Sequence, residues 1–431
     1  MFSPADGCLL PNYFSRLVSS PVQSLPGFRD FLPADCARRN YIFSKWREIS
    51  RRYGFIEWDG PVLEPTALFT KKSGPEVVSQ LFNFTDKGDR EVALRPELTP
   101  TLARVVAAHE REFRKPLKWF SIPQCFRYEK QQRGRLREHY QYNADLIGEA
   151  GPGADVELLA LCIDLLRGFG FTEQDVVVRL SDRQFWIDFL RAQNVAEEQL
   201  QATLEIIDKS ERLPREKVAE QLGPLAPAVF EIFDGGGKSE KLEQVMRGLE
   251  ARGLAGFAKI DLRIVRGLAY YTGVVFEAFD RAGKLRAIAG GGRYDNLIAH
   301  LSDGAVALPA LGFAMGDVVL GELLQETETT RTKMEAAIAR ERSLDAYAVI
   351  AKEERRADAL VQVQALRDAG YRIEYSLIPA KVGKQFQNAE LIGARLALVF
   401  GDEWPQVGVK ELATGEQRLL APEELLAHLA P

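Results

Sequence analysis

Cysteine is scarce in this chain of 431 residues, with four thiols at Cys8, Cys36, Cys125 and Cys162. No two of them form a C-x-x-C pair, which excludes a zinc knuckle and a disulfide framework and fits a reducing compartment. Histidine is equally sparse and dispersed, at His109, His139, His300 and His428, so no metal centre built on His and Cys is expected. No apolar run approaches the ~20 residues that cross a bilayer. An excess of positive charge is missing too: 56 Lys and Arg against 61 Asp and Glu leave a net charge of −5. That balance excludes a protein that coats nucleic acid indiscriminately and leaves a local basic groove open. The first two dozen residues hold one Arg and one Asp and lack the basic start and apolar core of a secretory signal. Residues 1–24 are expected to be an unstructured extension, with a transit peptide as the alternative.

What is present is a globular composition, 46% hydrophobic and 27% charged, in a chain long enough for two or three domains. Ile42, Phe43, Trp46, Ile49 and Tyr53 recur at helical spacing, and Gly54 stops that helix. "FIEWDGPVLEP" then reads as extended, and a second helix begins near "RPELTP". From Lys118 to Gly148 the period becomes two: Tyr140, Tyr142 and Ala144 share one face, Gln141, Asn143 and Asp145 the other. There follow an amphipathic helix near 153–170, a buried strand at "DVVVRLSD" and a helical insertion over about residues 183–258. "LGFAMGDVVLGELL", Leu311 to Leu324, reads as a buried strand, a glycine and a helix. The polar stretch 331–343 reads as a linker, and from Leu344 onward strand and helix alternate as in a small α/β domain.

The hairpin from Phe126 to Gly148 carries the strongest chemical signal. Arg127 and Glu129 on one strand are read as facing Gln141, Asn143 and Asp145 on the other, under a loop with Lys130, Arg133, Arg135 and Arg137. Arginines bind phosphate oxygens through paired N–H donors, while carboxylates hold a cationic amine or a metal. The mix suits chemistry that joins an amine-bearing substrate to a polyphosphate; the alternative is a solvated sheet face with weak salt bridges. "RIVRGLAYYTG" sets Arg266 beside a glycine and offers Tyr270 and Tyr271 as pocket walls, against the plain reading of a bulged surface strand. "AGGGRYDNL" lacks the dinucleotide fingerprint and fits a tight turn as well as a site. "LRPELTP" puts Arg95 and Glu97 at a helix mouth, where an acid is also an ordinary dipole partner.

In this order "FRDFLP", "GPVLEP", "LRPELTP", "FRYE" with "RGRLREHYQYNADLIG", "VRGLAYYTGVVFE" and "GGGRYDNL" resemble one family, histidyl-tRNA synthetase of class II, from about Leu25 onward. The Arg266 segment resembles the histidine-specific signature that other class II synthetases lack. The resemblance implies an α/β protein with an α+β catalytic domain over residues 25–330, an antiparallel sheet flanked by helices and carrying the helical insertion. It implies an anticodon-binding α/β domain over residues 344–431. The implied activity is ligation of histidine to histidine tRNA through histidyl-adenylate, with ATP as substrate and Mg2+ beside it. The implied setting is a cytoplasmic homodimer joined through the motif 1 region, "GPVLEP" and the helix before it, without membrane contact. By the same resemblance Arg127 and Arg266 are catalytic, on either side of the α-phosphate. Glu97, Thr99, Gln141, Asp145, Tyr270 and Tyr271 bind histidine. Glu129, Arg135, His139 and Gly316 complete the ATP site with the two arginines, and no metal ligand is assigned.

Two positions depart from the family pattern. His139 stands where motif 2 often has a Phe that stacks on adenine. In motif 3, "GFAMG" continues into Asp317, Val318 and Val319, where the family pattern is a short run ending in an arginine that grips ATP. Asp317 is expected to cap its helix, and Arg135, Arg137 and Arg293 are the candidates for the missing charge. The lost arginine keeps a second reading open: a non-catalytic histidine-binding paralogue, such as the regulatory subunit of ATP phosphoribosyltransferase, which lacks the C-terminal domain.

Overall fold

Pro33 in the first turn and Gly54 at a φ of +74° bound the helix Pro33–Arg52, since proline presets helical φ and glycine accepts the left-handed stop. Its buried side is Tyr41, Ile42, Trp46, Ile49 and Ser50. Trp46 Nε1 donates to Met315 Sδ at 3.4 Å, and Ser50 Oγ meets Tyr142 Oη at 2.7 Å, so this helix lies on a sheet. The computed structural model describes residues 23–429 except 74, 129–132 and 267–269. The expected N-terminal extension and Glu129 therefore lie outside the described residues, apart from the last two residues of the extension. Two compact units divide the chain, Met1–Thr330 and Arg331–Pro431.

The sheet of the first unit runs in the order Ile56–Glu57, Leu117–Ser121, Glu138–Ile147, Ala310–Gly316, Ala289–Arg293, Val274–Asp280, Val176–Asp182, Ala258–Ile260. The pairing is antiparallel except at the two edges. Helices Arg183–Ala192, Glu197–Lys209, Arg215–Leu222, Ala226–Glu231 and Glu240–Glu250 make up the insertion. The helix Pro152–Phe169 is less amphipathic than its sequence predicts, with every residue from Leu158 to Ile163 fully buried. It lies between the sheet, the helix Pro33–Arg52 and the helix Glu240–Glu250, a position that narrows its polar face to a stripe through Glu157, Asp164 and Arg167.

The first arm of the hairpin begins earlier than the sequence predicts and is interrupted at Pro123. Leu117–Ser121 pairs with Ile147 back to Asn143, and Gln124, Cys125 and Phe126 pair with Tyr140, His139 and Glu138. On its other edge the long strand Glu138–Ile147 pairs with Ala310–Gly316. Gln141, Asn143 and Asp145 stand opposite Gly316, Ala314 and Gly312 there, and none of the three is opposite Arg127.

The second unit holds a five-stranded sheet in the order Ile373–Tyr375, Leu344–Ile350, Ala394–Phe400, Val407–Glu411, Gln417–Leu420. Its last two strands form a hairpin that sequence alone does not announce, since Gln417–Leu420 buries no residue fully and so shows no apolar alternation. The stretch read as a linker is instead helical, over Glu328–Arg342, being rich in good helix formers and free of Gly and Pro. Among the described residues no helix is long and apolar enough to cross a membrane.

Candidate active site

Alternation along the strand Glu138–Ile147 turns Asp145 away from the helix that Tyr142 packs against. Gly312 beside it provides the room: a Cβ there would lie 2.0 Å from Asp145 Oδ1. Asp145 is buried and accepts a close hydrogen bond from Tyr294 Oη. Burial, offset in part by that bond and by Lys72, pushes its carboxyl up to about 7. The three glycines of Ala289–Arg293 prove to be strand residues, not a turn. They admit close neighbours, and a Cβ on Gly290 would meet Arg266 Nη1 at 1.6 Å.

Arg266 has a φ of +52°, a left-handed conformation uncommon outside glycine. Its Nη1 donates to Glu277 Oε1 at 3.1 Å, and its Cζ stands 5.4 Å from the centre of the Tyr271 ring. Glu97 precedes the helix Thr99–Ala108, which Thr99 opens. Lys72 Nζ donates to Glu97 Oε1 at 2.6 Å and lies 4.1 Å from the centre of the Tyr270 ring. Burial alone would raise the Glu97 carboxyl, yet Lys72, Arg127 and Arg266 together hold it below its ordinary value. Tyr270 contacts Tyr271 at 4.5 Å between ring centres and Tyr294 edge-on at 6.1 Å. Arg266 Nε and Gln141 Oε1 are buried without a hydrogen-bond partner among the described residues.

The other end of the site is rich in arginine. Arg127 Nε donates to the Pro96 carbonyl at 3.0 Å, which ties this arginine to the Glu97 loop. Burial, followed by the charges of Arg127, Arg29 and Arg135, pushes the His139 imidazole down to about 3, leaving a neutral flat ring. Asp317 does not cap its helix: Gly316 is the cap residue, and the Asp317 carboxylate takes Arg29 Nη1 at 2.8 Å and the Tyr140 N–H at 2.9 Å. Val319 is buried and faces Gly134, where a Cβ would meet Val319 Cγ2 at 3.1 Å. Arg133 pairs with Glu322 and Glu326 on the same helix. Arg137 stacks over the Tyr128 ring, its Cζ 4.4 Å from the centre. Arg293 is locked inside the fold by Asp155 at 2.6 Å and Asp295 at 3.2 Å, so it is no candidate for a ligand.

The structure thus gathers Glu97, Arg127, Arg266, Tyr270, Tyr271 and Asp145 into one site, with His139 and Gly316 toward the arginine-rich end. Sequence reasoning missed Lys72, Tyr294 and Arg29. Lys72 in "TKKSG" looks like surface charge, yet its side chain is 1% exposed. Tyr294 sits inside a quoted motif whose glycines drew the attention.

A family model for histidyl-tRNA synthetase matches residues 27–317, and one for an anticodon-binding domain matches residues 346–430. The chain belongs to the histidyl-tRNA synthetase family. A histidine–tRNA ligase from Opitutus terrae is 46% identical over 94% of this chain and 97% of its own length. A chloroplastic/mitochondrial histidine–tRNA ligase from Arabidopsis thaliana is 40% identical over 91% of this chain and 83% of its own. The crystal structure of histidyl-tRNA synthetase from Nostoc sp. PCC 7120 superposes with a TM-score of 0.76 over 94% of this chain and 98% of that one. At 23% identity that likeness speaks for the fold, the antiparallel sheet flanked by helices with a C-terminal α/β unit. Family membership makes the chain an aminoacyl-tRNA synthetase of the histidine–tRNA ligase class, an enzyme class that uses ATP. The non-catalytic alternative falls away, since the C-terminal domain which that paralogue lacks is matched here.

Proposed function

We propose that the Asp145 end of the site binds histidine, that the arginine-rich end binds ATP, and that the two react between Arg127 and Arg266. Glu97 and Thr99 take the α-ammonium group of histidine. Asp145, Gln141, Tyr270 and Tyr271 surround its imidazole. Arg127 and Arg266 flank the α-phosphate, Glu129 and His139 hold the adenine, Arg135 reaches the terminal phosphates, and Gly316 lets the nucleotide come close. A carboxylate oxygen of histidine attacks the α-phosphorus in line, the bond to the bridging oxygen breaks, and pyrophosphate leaves with the electron pair. Two guanidinium groups aimed at the charge that develops on that phosphorus are an electrostatic device. The terminal ribose hydroxyl of histidine tRNA then attacks the carbonyl of the adenylate and displaces AMP.

The observation that carries this reading is Glu97, a half-buried carboxylate that takes Lys72 Nζ at 2.6 Å and is held below its ordinary value by Lys72, Arg127 and Arg266. It links an ammonium-binding group to both arginines. Mg2+ belongs with ATP in this reading as a counterion to the phosphates. Among the described residues no group of three His, Cys, Asp or Glu could hold a metal, so no step is routed through the ion. Exposed Ile56, Val62 and Leu63 beside the motif 1 segment support a homodimer through that region, in a cytoplasmic enzyme. The domain limits proposed are 25–330 for catalysis, with the insertion at about 183–258, and 344–431 for the anticodon. Histidine-dependent ATP–pyrophosphate exchange is the test: exchange is expected, and its absence in a chain that still binds histidine would sink the proposal.

A further inference from the structure

The helix Asp317–Glu326 opens with a buried carboxylate, and the cation that answers it comes from far away in sequence. Arg29 Nη1 donates to Asp317 Oδ2 at 2.8 Å. Its Nε and Nη2 donate to the two oxygens of Glu138 at 3.2 and 3.3 Å, a forked geometry that a guanidinium supplies and an ammonium cannot. The side chains of Glu138 and Asp317 are 2% and 5% exposed. Two carboxylates buried this close repel each other, and removing a single shared cation leaves both uncompensated.

The two carboxylates lie on different parts of the arginine-rich end. Glu138 opens the strand on which Arg137 precedes it and His139 follows it, while Asp317 follows Gly316 at the helix start. Asp317 also accepts the Tyr140 N–H, so it grips that strand from a second side. The backbone adds to the strap: the N–H groups of Arg137 and Glu138 both donate to the Gly27 carbonyl at 3.1 Å. The "FRDF" segment thus clamps the first residues of the strand to the start of the helix.

We infer that Arg29 is a positioning residue for ATP: through Glu138 and Asp317 it sets the strand that presents Arg137 and His139 against the helix that begins after Gly316. The inference rests on the proposed placing of ATP at this end. In this scheme Arg29 acts on the nucleotide through other residues, since each of its three nitrogens donates to a buried carboxylate. Glu97, Tyr270 and Tyr294, at the proposed histidine end, bond to other groups.

The test is steady-state pyrophosphate exchange by the full chain, with KM measured for each substrate. Arg29→Gln is expected to raise KM for ATP about tenfold while KM for histidine stays within about twofold. Arg29→Lys, which keeps the charge and loses the fork, should rescue part of that loss, and Asp317→Asn should shift KM for ATP in the same direction. A general loss of folding would lower kcat or move both KM values together. That result, or unchanged KM values for both substrates, overturns the inference. If Arg29→Gln does not fold, Arg29→Lys and Asp317→Asn are scored by the same split. Arg127→Ala is run in parallel: if it leaves exchange and KM for ATP intact, the placing of ATP has failed, a result separate from the Arg29 split.

Discussion

Asp145 and Asp317 are both buried, 6% and 5% exposed, at sites reached from neighbouring strands of one sheet. Asp145 receives a tyrosine hydroxyl, Lys72 is the cation that bears on its carboxyl among the described residues, and burial pushes that carboxyl up to about 7. Asp317 receives a guanidinium and a backbone N–H, and Arg29 binds Glu138 as well. At Asp317 the charge is answered by a cation that is tied to a second buried carboxylate, which fixes it in the fold. A carboxylate left with a neutral partner keeps its charge or its proton for a ligand, which is the pattern expected of functional sites. On the proposed reading Asp145 is a binding group and Asp317 part of a clamp.

The largest effect on the reactive end is expected from Arg266→Ala. Exchange should fall about 10²–10³-fold, on the order of 3–4 kcal/mol, as when a donor to a developing anion is removed; a fall of less than tenfold would remove Arg266 from the proposed mechanism. Gly291→Ala attacks the strand contact that supports the Asp145 end. Its Cβ would stand 2.2 Å from the Gly312 carbonyl oxygen, a backbone atom that cannot swing aside. A loss of about 3 kcal/mol, the upper end for overpacking, should show in thermal or denaturant unfolding.

Asp145→Asn tests the comparison itself. The folded chain keeps a proton on Asp145 up to about 7, whereas the unfolded chain releases it near pH ~4. The folded state therefore binds the extra proton between those values, and stability falls as pH rises through that window. Asp145→Asn should flatten that slope and melt a few degrees higher at pH ~8 while exchange drops. A variant that melts lower at that pH would show that the ionised carboxylate stabilises the fold after all. Arg133→Ala should do least: its guanidinium is 66% exposed, exposed pairs contribute little, and a melting shift of under about 2 °C is expected. A larger shift would place Arg133 among the clamps with Arg29.

Much of the candidate site is legible in short stretches of sequence. Arg127, Arg266, Tyr270, Tyr271 and Glu97 sit in short motifs whose residue types announce anion and amine chemistry, and the structure assembles them. The odd-numbered face of "YQYNAD" was also correct, because a two-residue period needs no tertiary knowledge. The partner of that face was not. Pro123 interrupts the first arm of the hairpin, Leu117–Phe126, and on its other edge the long strand pairs with Ala310–Gly316, far away in sequence. Asp317 as a cap was a local reading, overturned by a contact that spans the whole catalytic unit.

The sequence by itself determined the family, the alternation of the central strand, and the residue types needed for joining a carboxylate to a phosphate. These are properties of short segments, and local chemistry carries them. Tertiary structure alone decided which charges are answered within the fold. Lys72 reaches Glu97, Tyr294 reaches Asp145 across 149 residues, and Arg29 reaches Glu138 across 109 and Asp317 across 288. Burial sets the cost of each of those charges, and burial is a property of the packed chain, not of any segment of it.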